Sequence, residues 1–155
     1  MRALATLTGA SVLILAQSAP ASAAKQVRCT IRSILGRHAK GPTDRRLAFL
    51  KRQLSRPPFS TFKSFQLLDV KTMRIPRGAV RAARLPTKKI ARLTFKGLVK
   101  AKRGTRLRMH LSITPPRALG FLPGTQFTIA NGGTLLIGGA RFAGGTLVVS
   151  VTCRK

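Results

Sequence analysis

The clearest pattern along this chain is an alternation of apolar and polar residues with a period of two. QVRCTIR and TLVVSVTC, near the two ends, both alternate in this way, and so does TRLRMHLSI at 105–113. Successive side chains of a β-strand point to opposite faces of a sheet, so this alternation predicts strands with one buried face. In the third segment the apolar face is Leu107, Met109, Leu111 and Ile113, and the polar face is Arg106, Arg108, His110 and Ser112.

Further strands are predicted between these segments. The stretch 62–75 is rich in aromatic and aliphatic residues and indicates a long strand with a bulge at Leu67-Leu68. Segments 79–85 and 89–97 are predicted as antiparallel neighbours of 105–113. TQFTIA, NGG and TLLIG indicate a hairpin, because an Asn-Gly turn between apolar strands favours one. The predicted fold is mainly β, a small antiparallel β-sandwich or barrel of seven to eight strands with one short N-terminal helix.

That helix is predicted at 43–56, TDRRLAFLKRQLSR. Thr43 is its expected cap, Asp44 lies favourably in the first turn, and Pro57-Pro58 ends it. Its apolar stripe consists of Leu47, Leu50 and Leu54, with arginines on the opposite face.

A basic segment at 74–92 resembles a second helix, since its bases recur every three or four residues. Pro76 and Pro86 argue against this interpretation, because each would disrupt a continuous helix by about 3 kcal/mol. The segment is therefore predicted to form strands joined by a turn at 85–89.

The amino terminus indicates export. Met1-Arg2 is followed by a short apolar run and by the small-residue site Ala21-Ser22-Ala23, which is typical of a cleaved secretory signal peptide. The alternative, an uncleaved anchor helix, needs roughly 20 apolar residues. We predict a signal peptide at 1–24 and a single basic β-rich domain at 25–155, secreted or periplasmic.

The two cysteines, Cys29 and Cys153, lie on the apolar faces of the two terminal strands. Export leads to an oxidising compartment, so a Cys29–Cys153 disulfide between neighbouring strands is predicted. Two free buried thiols are the alternative. Neither His38 nor His110 has ligand spacing to a cysteine, so no metal is expected.

Charge narrows the class of partner. The chain has 30 Lys and Arg against 2 Asp and Glu, a formal net charge of +28. A field this one-sided predicts a polyanionic partner. On the predicted meander, Arg92, Lys96, Arg106 and Arg108 gather on one outward sheet face. The predicted anion-binding residues are Arg74, Arg77, Arg81, Arg84, Lys88, Lys89, Arg92, Lys96, Arg106 and Arg108.

No catalytic signature supports an enzyme, and no cofactor is expected. The chain has no G-x-S-x-G, P-loop or G-x-G-x-x-G motif, and its only carboxylates are Asp44 and Asp69. Candidate ligands are extracellular DNA, lipopolysaccharide, acidic polysaccharide and anionic membrane surfaces. Two alternatives are a structural component of the cell envelope that assembles through apolar C-terminal strands, and a membrane-disrupting protein acting through 43–56.

PPFSTFKSFQLLD and GGTLLIGGARFAGGTLVVSV together resemble a loose group of exported bacterial β-rich proteins of unknown function. The shared pieces are a strand at Phe62 to Leu68, a Leu85-Pro86 turn and a Gly132 to Gly139 stretch before the last strand. The resemblance implies a β-rich exported domain. It carries no activity and no site residues.

Overall fold

A computed structural model describes residues 26–114 and 122–155, so the predicted signal peptide at 1–24 lies outside the described residues. Within these ranges, eight strands form two four-stranded antiparallel sheets. The strands are β1 (Gln26–Arg37), β2 (Ser64–Pro76), β3 (Val80–Arg84), β4 (Ile90–Ala101), β5 (Gly104–Thr114), β6 (Leu122–Ala130), β7 (Thr134–Phe142) and β8 (Gly145–Arg154). Sheet A has the order β2-β1-β8-β7 and sheet B the order β3-β4-β5-β6. The predicted mainly β fold is confirmed.

The main core lies between the two sheets. The inward residues of β5, Leu107, Met109 and Leu111, are buried against the inward residues of the terminal strands. These are the alternating positions that the sequence pattern assigns to the apolar face. The predicted bulge in β2 is also confirmed, because the register with β1 shifts between Leu67 and Asp69.

The terminal strands β1 and β8 are neighbours at the centre of sheet A. Cys29 lies directly opposite Cys153, and the two form a disulfide with their Cα atoms 4.1 Å apart. Both cysteines are fully buried in the main core. The predicted disulfide is therefore present, and it fixes the register of the two central strands of this sheet.

A short helical segment covers part of the outer face of sheet A, and it is tighter than predicted. A 3₁₀ helix at Arg45–Leu50 precedes a four-residue α-helix, α1, at Lys51–Leu54. Asp44, and not Thr43, caps the segment, because its carboxylate accepts a hydrogen bond from the backbone N of Arg46 at 2.9 Å. The predicted apolar stripe of this segment consists of Leu47, Leu50 and Leu54. These three leucines are buried in a second apolar cluster, together with residues of β1, β2 and β8.

The predicted hairpin around Asn131-Gly132 is wrong. β6 pairs with β5 in sheet B, whereas β7 pairs with β8 in sheet A. The turn between them bonds to the end of β8: the Gly132 N donates to the Cys153 O at 2.8 Å, and the Asn131 Oδ1 accepts from the Lys155 N at 2.8 Å. These bonds make the turn a corner between the sheets. The hairpin lies one turn later, at Ala143-Gly144, where both residues have positive φ.

The basic segment 74–92 forms strands and turns, as predicted. β2 ends at Pro76, β3 follows, and the β3–β4 turn has Lys88 at a φ of 64°. Among the described residues, no helix is long and apolar enough to cross a membrane.

Candidate anion-binding faces

Three of the predicted anion-binding residues lie together on the outer face of sheet B. Arg92, Arg106 and Arg108 are exposed and alternate with buried residues of β4 and β5. Their cross-strand neighbours are small or uncharged. Arg92 lies opposite Ala82 and Ser112, Arg106 opposite Val99 and Ala130, and Arg108 opposite Gly97 and Thr128. This face is basic, but none of these three arginines lies directly opposite another arginine.

Lys96 lies midway along β4, and Arg77 lies beside it. Lys96 occupies the position where the β4–β5 register shifts, between Phe95 and Gly97. Arg77 precedes β3, and its Nε donates to the Lys96 backbone O at 3.4 Å. The Arg77 guanidinium also fills the space where a side chain at Gly97 would stand.

The remaining predicted residues are dispersed. On edge strand β3, Arg84 is in register with Ile90 on the outer side, whereas Arg81 is in register with the buried Leu93 and is exposed only because β3 is an edge. Lys88 and Lys89 lie in or beside the β3–β4 turn at the end of the sandwich. Arg74 lies on β2, in sheet A. The ten predicted residues therefore do not form one face.

An arginine row, which sequence reasoning missed, crosses the outer face of sheet A. Arg28 on β1 lies directly opposite Arg74 on β2 and directly opposite Arg154 on β8. All three side chains are exposed. Directly opposed residues on antiparallel strands have Cβ atoms about 4.5–5.5 Å apart, and like charges so placed are destabilising.

A threonine row runs beside the arginine row, two residues further along the strands. Its members, in strand order, are Thr72, Thr30, Thr152 and Thr134. The Oγ1 atoms of Thr30 and Thr72 are 3.0 Å apart, and those of Thr134 and Thr152 are 2.7 Å apart. The sheet thus presents a line of hydroxyl groups parallel to a line of guanidinium groups.

Arg32 borders the two rows on the side of the helical segment. Its Nη1 donates to the Thr152 Oγ1 at 3.3 Å, and its guanidinium carbon lies 4.7 Å from the centre of the Phe49 ring. Partial burial, and then the positive charge of Arg154, lower the pKa of Arg32. The cations on this face therefore act on one another electrostatically.

Neither carboxylate of the chain faces the arginine row. Asp44 pairs with Arg46 at 2.7 Å, and Asp69 pairs with Lys71 at 3.3 Å. Asp69 and Lys71 are in register with the buried residues Ser33 and Ile31, so they lie on the side of β2 that faces sheet B. The Lys71 Nζ also donates to the Arg84 backbone O of β3.

A signal for the arginine row was present in the sequence. Arg28 precedes Cys29, and Arg154 follows Cys153. When two cysteines lie directly opposite on antiparallel strands, the residue before one faces the residue after the other. The predicted disulfide therefore implied the opposition of Arg28 and Arg154, and by the same rule that of Thr30 and Thr152.

Both histidines contact neighbouring residues of the fold. The His38 Nδ1 lies 3.2 Å from the Thr61 backbone O, and its ring packs against Phe62. The His110 ring lies over Gly124 on the outer face of sheet B, where an added Cβ would be 2.0 Å from the His110 Nε2. In 26–114 and 122–155, no group of three or more His, Cys, Asp or Glu residues is placed to hold a metal ion.

Comparison with protein-family models, with curated proteins and with solved structures finds no match to this chain. The resemblance to exported bacterial β-rich proteins stays a prediction.

Proposed function

We propose that this protein is an exported, non-enzymatic domain that binds anionic polymers, and that the arginine row Arg74–Arg28–Arg154 is its principal contact. The observation that carries the proposal is the direct opposition of these three arginines across adjacent strands. Such an arrangement costs stability in the free protein. An anionic ligand removes that cost when it binds, so the arrangement favours anion binding.

The chemistry of the face supports a ligand with regularly spaced phosphate, sulfate or carboxylate groups. Adjacent strands are about 4.7–4.9 Å apart, so the three strands that carry these arginines span about 10 Å across the sheet. Each guanidinium presents a planar set of donors that matches these anions in a bidentate manner. The adjacent threonine hydroxyls both donate and accept, which suits the hydroxyl groups of a polysaccharide.

Export supports the choice of ligand. The Cys29–Cys153 disulfide is typical of an oxidising compartment. Extracellular DNA, the phosphates of lipopolysaccharide and acidic polysaccharides are the polyanions found there. The chain has no Trp and no Tyr, so it lacks the usual aromatic platform for stacking bases, and acidic glycans are favoured over single-stranded nucleic acid.

A salt titration of the oxidised protein on heparin and on duplex DNA tests the proposal. Two variants remove the same charge: Arg28→Gln/Arg74→Gln/Arg154→Gln from sheet A and Arg92→Gln/Arg106→Gln/Arg108→Gln from sheet B. We expect the sheet A variant to lose more affinity, and its log–log salt slope on DNA to fall by about 2 to 3 if all three arginines contact phosphates. Equal losses in both variants would mean that the charge acts diffusely. Unchanged binding in both would remove the proposal.

The alternative, assembly within the cell envelope, is supported by the position of two C-terminal strands. β6 and β7 each lie at one edge of their sheets, as β3 and β2 do at the other edges, so each has an outer edge with no strand neighbour among the described residues. β8, by contrast, is enclosed between β1 and β7. Self-association that persists at high salt and is lost when a proline replaces Ile137 would favour this function.

A further inference from the structure

An apolar pocket opens between the two sheets at the end of the sandwich where β3 turns into β4. Its volume is about 200 Å³, and both sheets contribute to its walls. The apolar side chains that line it are Leu85, Ile113, Ile137, Ala140, Leu147 and Val149. The pocket is an extension of the main core toward solvent, since most of these residues belong to or pack against that core.

A shallow groove lined by cations adjoins this pocket. Lys88, Lys89 and Arg141 contribute to its walls. The groove and the pocket share Thr87, Lys89, Gly139 and Ala140, so they form one continuous depression. Lys88 and Lys89 are among the predicted anion-binding residues, and the structure separates them from both sheet faces.

Local backbone geometry creates this depression. The β7–β8 register shifts between Gly138 and Ala140, and Gly139, at a φ of 135°, has no atom within 4 Å of the position of an added Cβ. On the opposite wall, the φ of 64° at Lys88 turns the chain from β3 into β4. The Thr87 Oγ1, at the boundary of pocket and groove, is buried without a hydrogen-bond partner among the described residues. Buried hydroxyl groups of this kind are uncommon in folded proteins.

We infer that this depression binds an amphiphile with a single acyl chain and an anionic head group. The chain enters the apolar pocket, and the head group lies in the groove between Lys88 and Arg141, within reach of the Thr87 hydroxyl. An apolar cavity of about 150 Å³ holds a benzene ring, so a volume of 200 Å³ takes a segment of an acyl chain and not a whole lipid. The inference goes beyond the proposed function, because it concerns a separate site and a monomeric amphiphile in place of a polymer.

Calorimetric titration with lauroyl lysophosphatidylglycerol, kept below its micellar concentration, tests the inference. Glycerophosphoglycerol supplies the head group alone, and lauroyl lysophosphatidylcholine supplies the same chain with a zwitterionic head. Each buried methylene raises the affinity about fourfold, so we expect the lysophosphatidylglycerol to bind at least about tenfold more tightly than its head group. Equal affinity of the two would overturn the inference, and this comparison needs no variant.

Two variants locate the site. Ala140→Phe fills the pocket, and Lys88→Asn/Arg141→Gln removes two charges from the groove while keeping a residue that tolerates positive φ at 88. We expect Ala140→Phe to abolish the affinity that the acyl chain adds to the head group. The Lys88→Asn/Arg141→Gln variant should abolish the preference for lysophosphatidylglycerol over lysophosphatidylcholine. The control Arg106→Gln/Arg108→Gln removes two charges from sheet B and should retain both. If both site variants keep the affinity added by the acyl chain and the preference for the anionic head group, this depression is not the binding site.

Two further measurements distinguish a free lipid from a membrane lipid as the ligand, and failure of this inference from failure of the proposed function. Binding of the monomeric amphiphile alone supports a free lipid as the ligand. Additional binding to vesicles that contain it supports a membrane source. Heparin binding is measured on the same samples. If the protein binds heparin but the acyl chain adds no affinity for the amphiphile, the pocket inference fails and the proposed function stands.

Discussion

The outer faces of the two sheets both carry arginines, but they arrange them in opposite ways. On sheet B, Arg92, Arg106 and Arg108 each lie opposite small or uncharged residues. On sheet A, Arg28 lies directly between Arg74 and Arg154. The first arrangement is what a merely soluble basic surface needs, since it limits repulsion between neighbouring cations. The second maximises that repulsion.

This difference means that the two faces are distinguished by the register of their charges and not only by the number of charges. A basic composition spreads arginines over every exposed position, and most of them contribute only to the overall field. A row of opposed arginines costs stability, and such costs are commonly retained at functional sites. The comparison therefore favours sheet A as the anion-binding face.

The largest expected effect concerns the disulfide, which holds the arginine row in register. Cys29→Ala/Cys153→Ala should lower the free energy of unfolding by about 2 to 5 kcal/mol, because the bond closes a long loop. Chemical denaturation of the two proteins measures this loss. The Cys29–Cys153 pair is next to the Arg28–Arg154 pair, so we also expect the double variant to lose heparin affinity. Unchanged stability would mean that backbone pairing alone fixes the register.

The threonine row gives the next effect. Thr152→Val removes a hydroxyl that is hydrogen-bonded to Thr134 and to Arg32, so the free energy of unfolding should fall by about 1 kcal/mol. The matched control is Thr128→Val, an exposed position opposite Arg108 on sheet B, where a change within about 0.5 kcal/mol is expected. Equal losses at the two positions would mean that the threonine row contributes no special stabilisation.

A charge reversal distinguishes the two faces by the size of its effect. Arg28→Glu places a carboxylate between Arg74 and Arg154, so at low salt the free energy of unfolding should rise by about 1 kcal/mol. Arg108→Glu on sheet B has no directly opposed arginine, so its rise should be smaller. Denaturant midpoints at low and high salt measure both effects. A rise of the same size in both variants would remove the distinction between the faces.

The smallest effect is a pH dependence at Asp44, the cap of the helical segment on sheet A. Hydrogen bonds from Arg46 lower the pKa of Asp44 to about 2 from its ordinary value of 3.8. Its contribution to stability is therefore fully present above pH 3.8 and is lost as the pH falls through about 2. Acid titration of unfolding should show this loss in the parent protein and not in Asp44→Asn. An identical acid profile in the two proteins would contradict it.

Sequence reasoning predicted the fold and the disulfide because alternation and export are local or compositional signals. It failed at Asn131-Gly132, where a hairpin signal was overridden by bonds from the turn to the end of β8. It also predicted the wrong cap, since Asp44 and Thr43 are both good capping residues and only the local backbone chooses between them.

The arginine row could be predicted only in part. Sequence reasoning included Arg74 among the anion-binding residues but did not pair it with Arg28 or Arg154. Arg28 and Arg154 are far apart along the chain, and only the pairing of the terminal strands brings them together. The pocket beside Lys88 was not predictable, since it depends on a register shift in β7 and a positive φ in a distant turn.

The central claim is that the arginine row costs stability in the free protein and gains it when an anion binds. The most direct test measures the free energy of unfolding of the parent and of the two triple glutamine variants, at low salt, with and without a saturating heparin fragment. Without heparin, the sheet A variant should be more stable than the parent by about 1 kcal/mol. With heparin the order should reverse, because ligand binding stabilises the parent more. The sheet B variant should show no such reversal. If the sheet A variant is no more stable than the parent without heparin, or if both variants respond alike, the account is wrong.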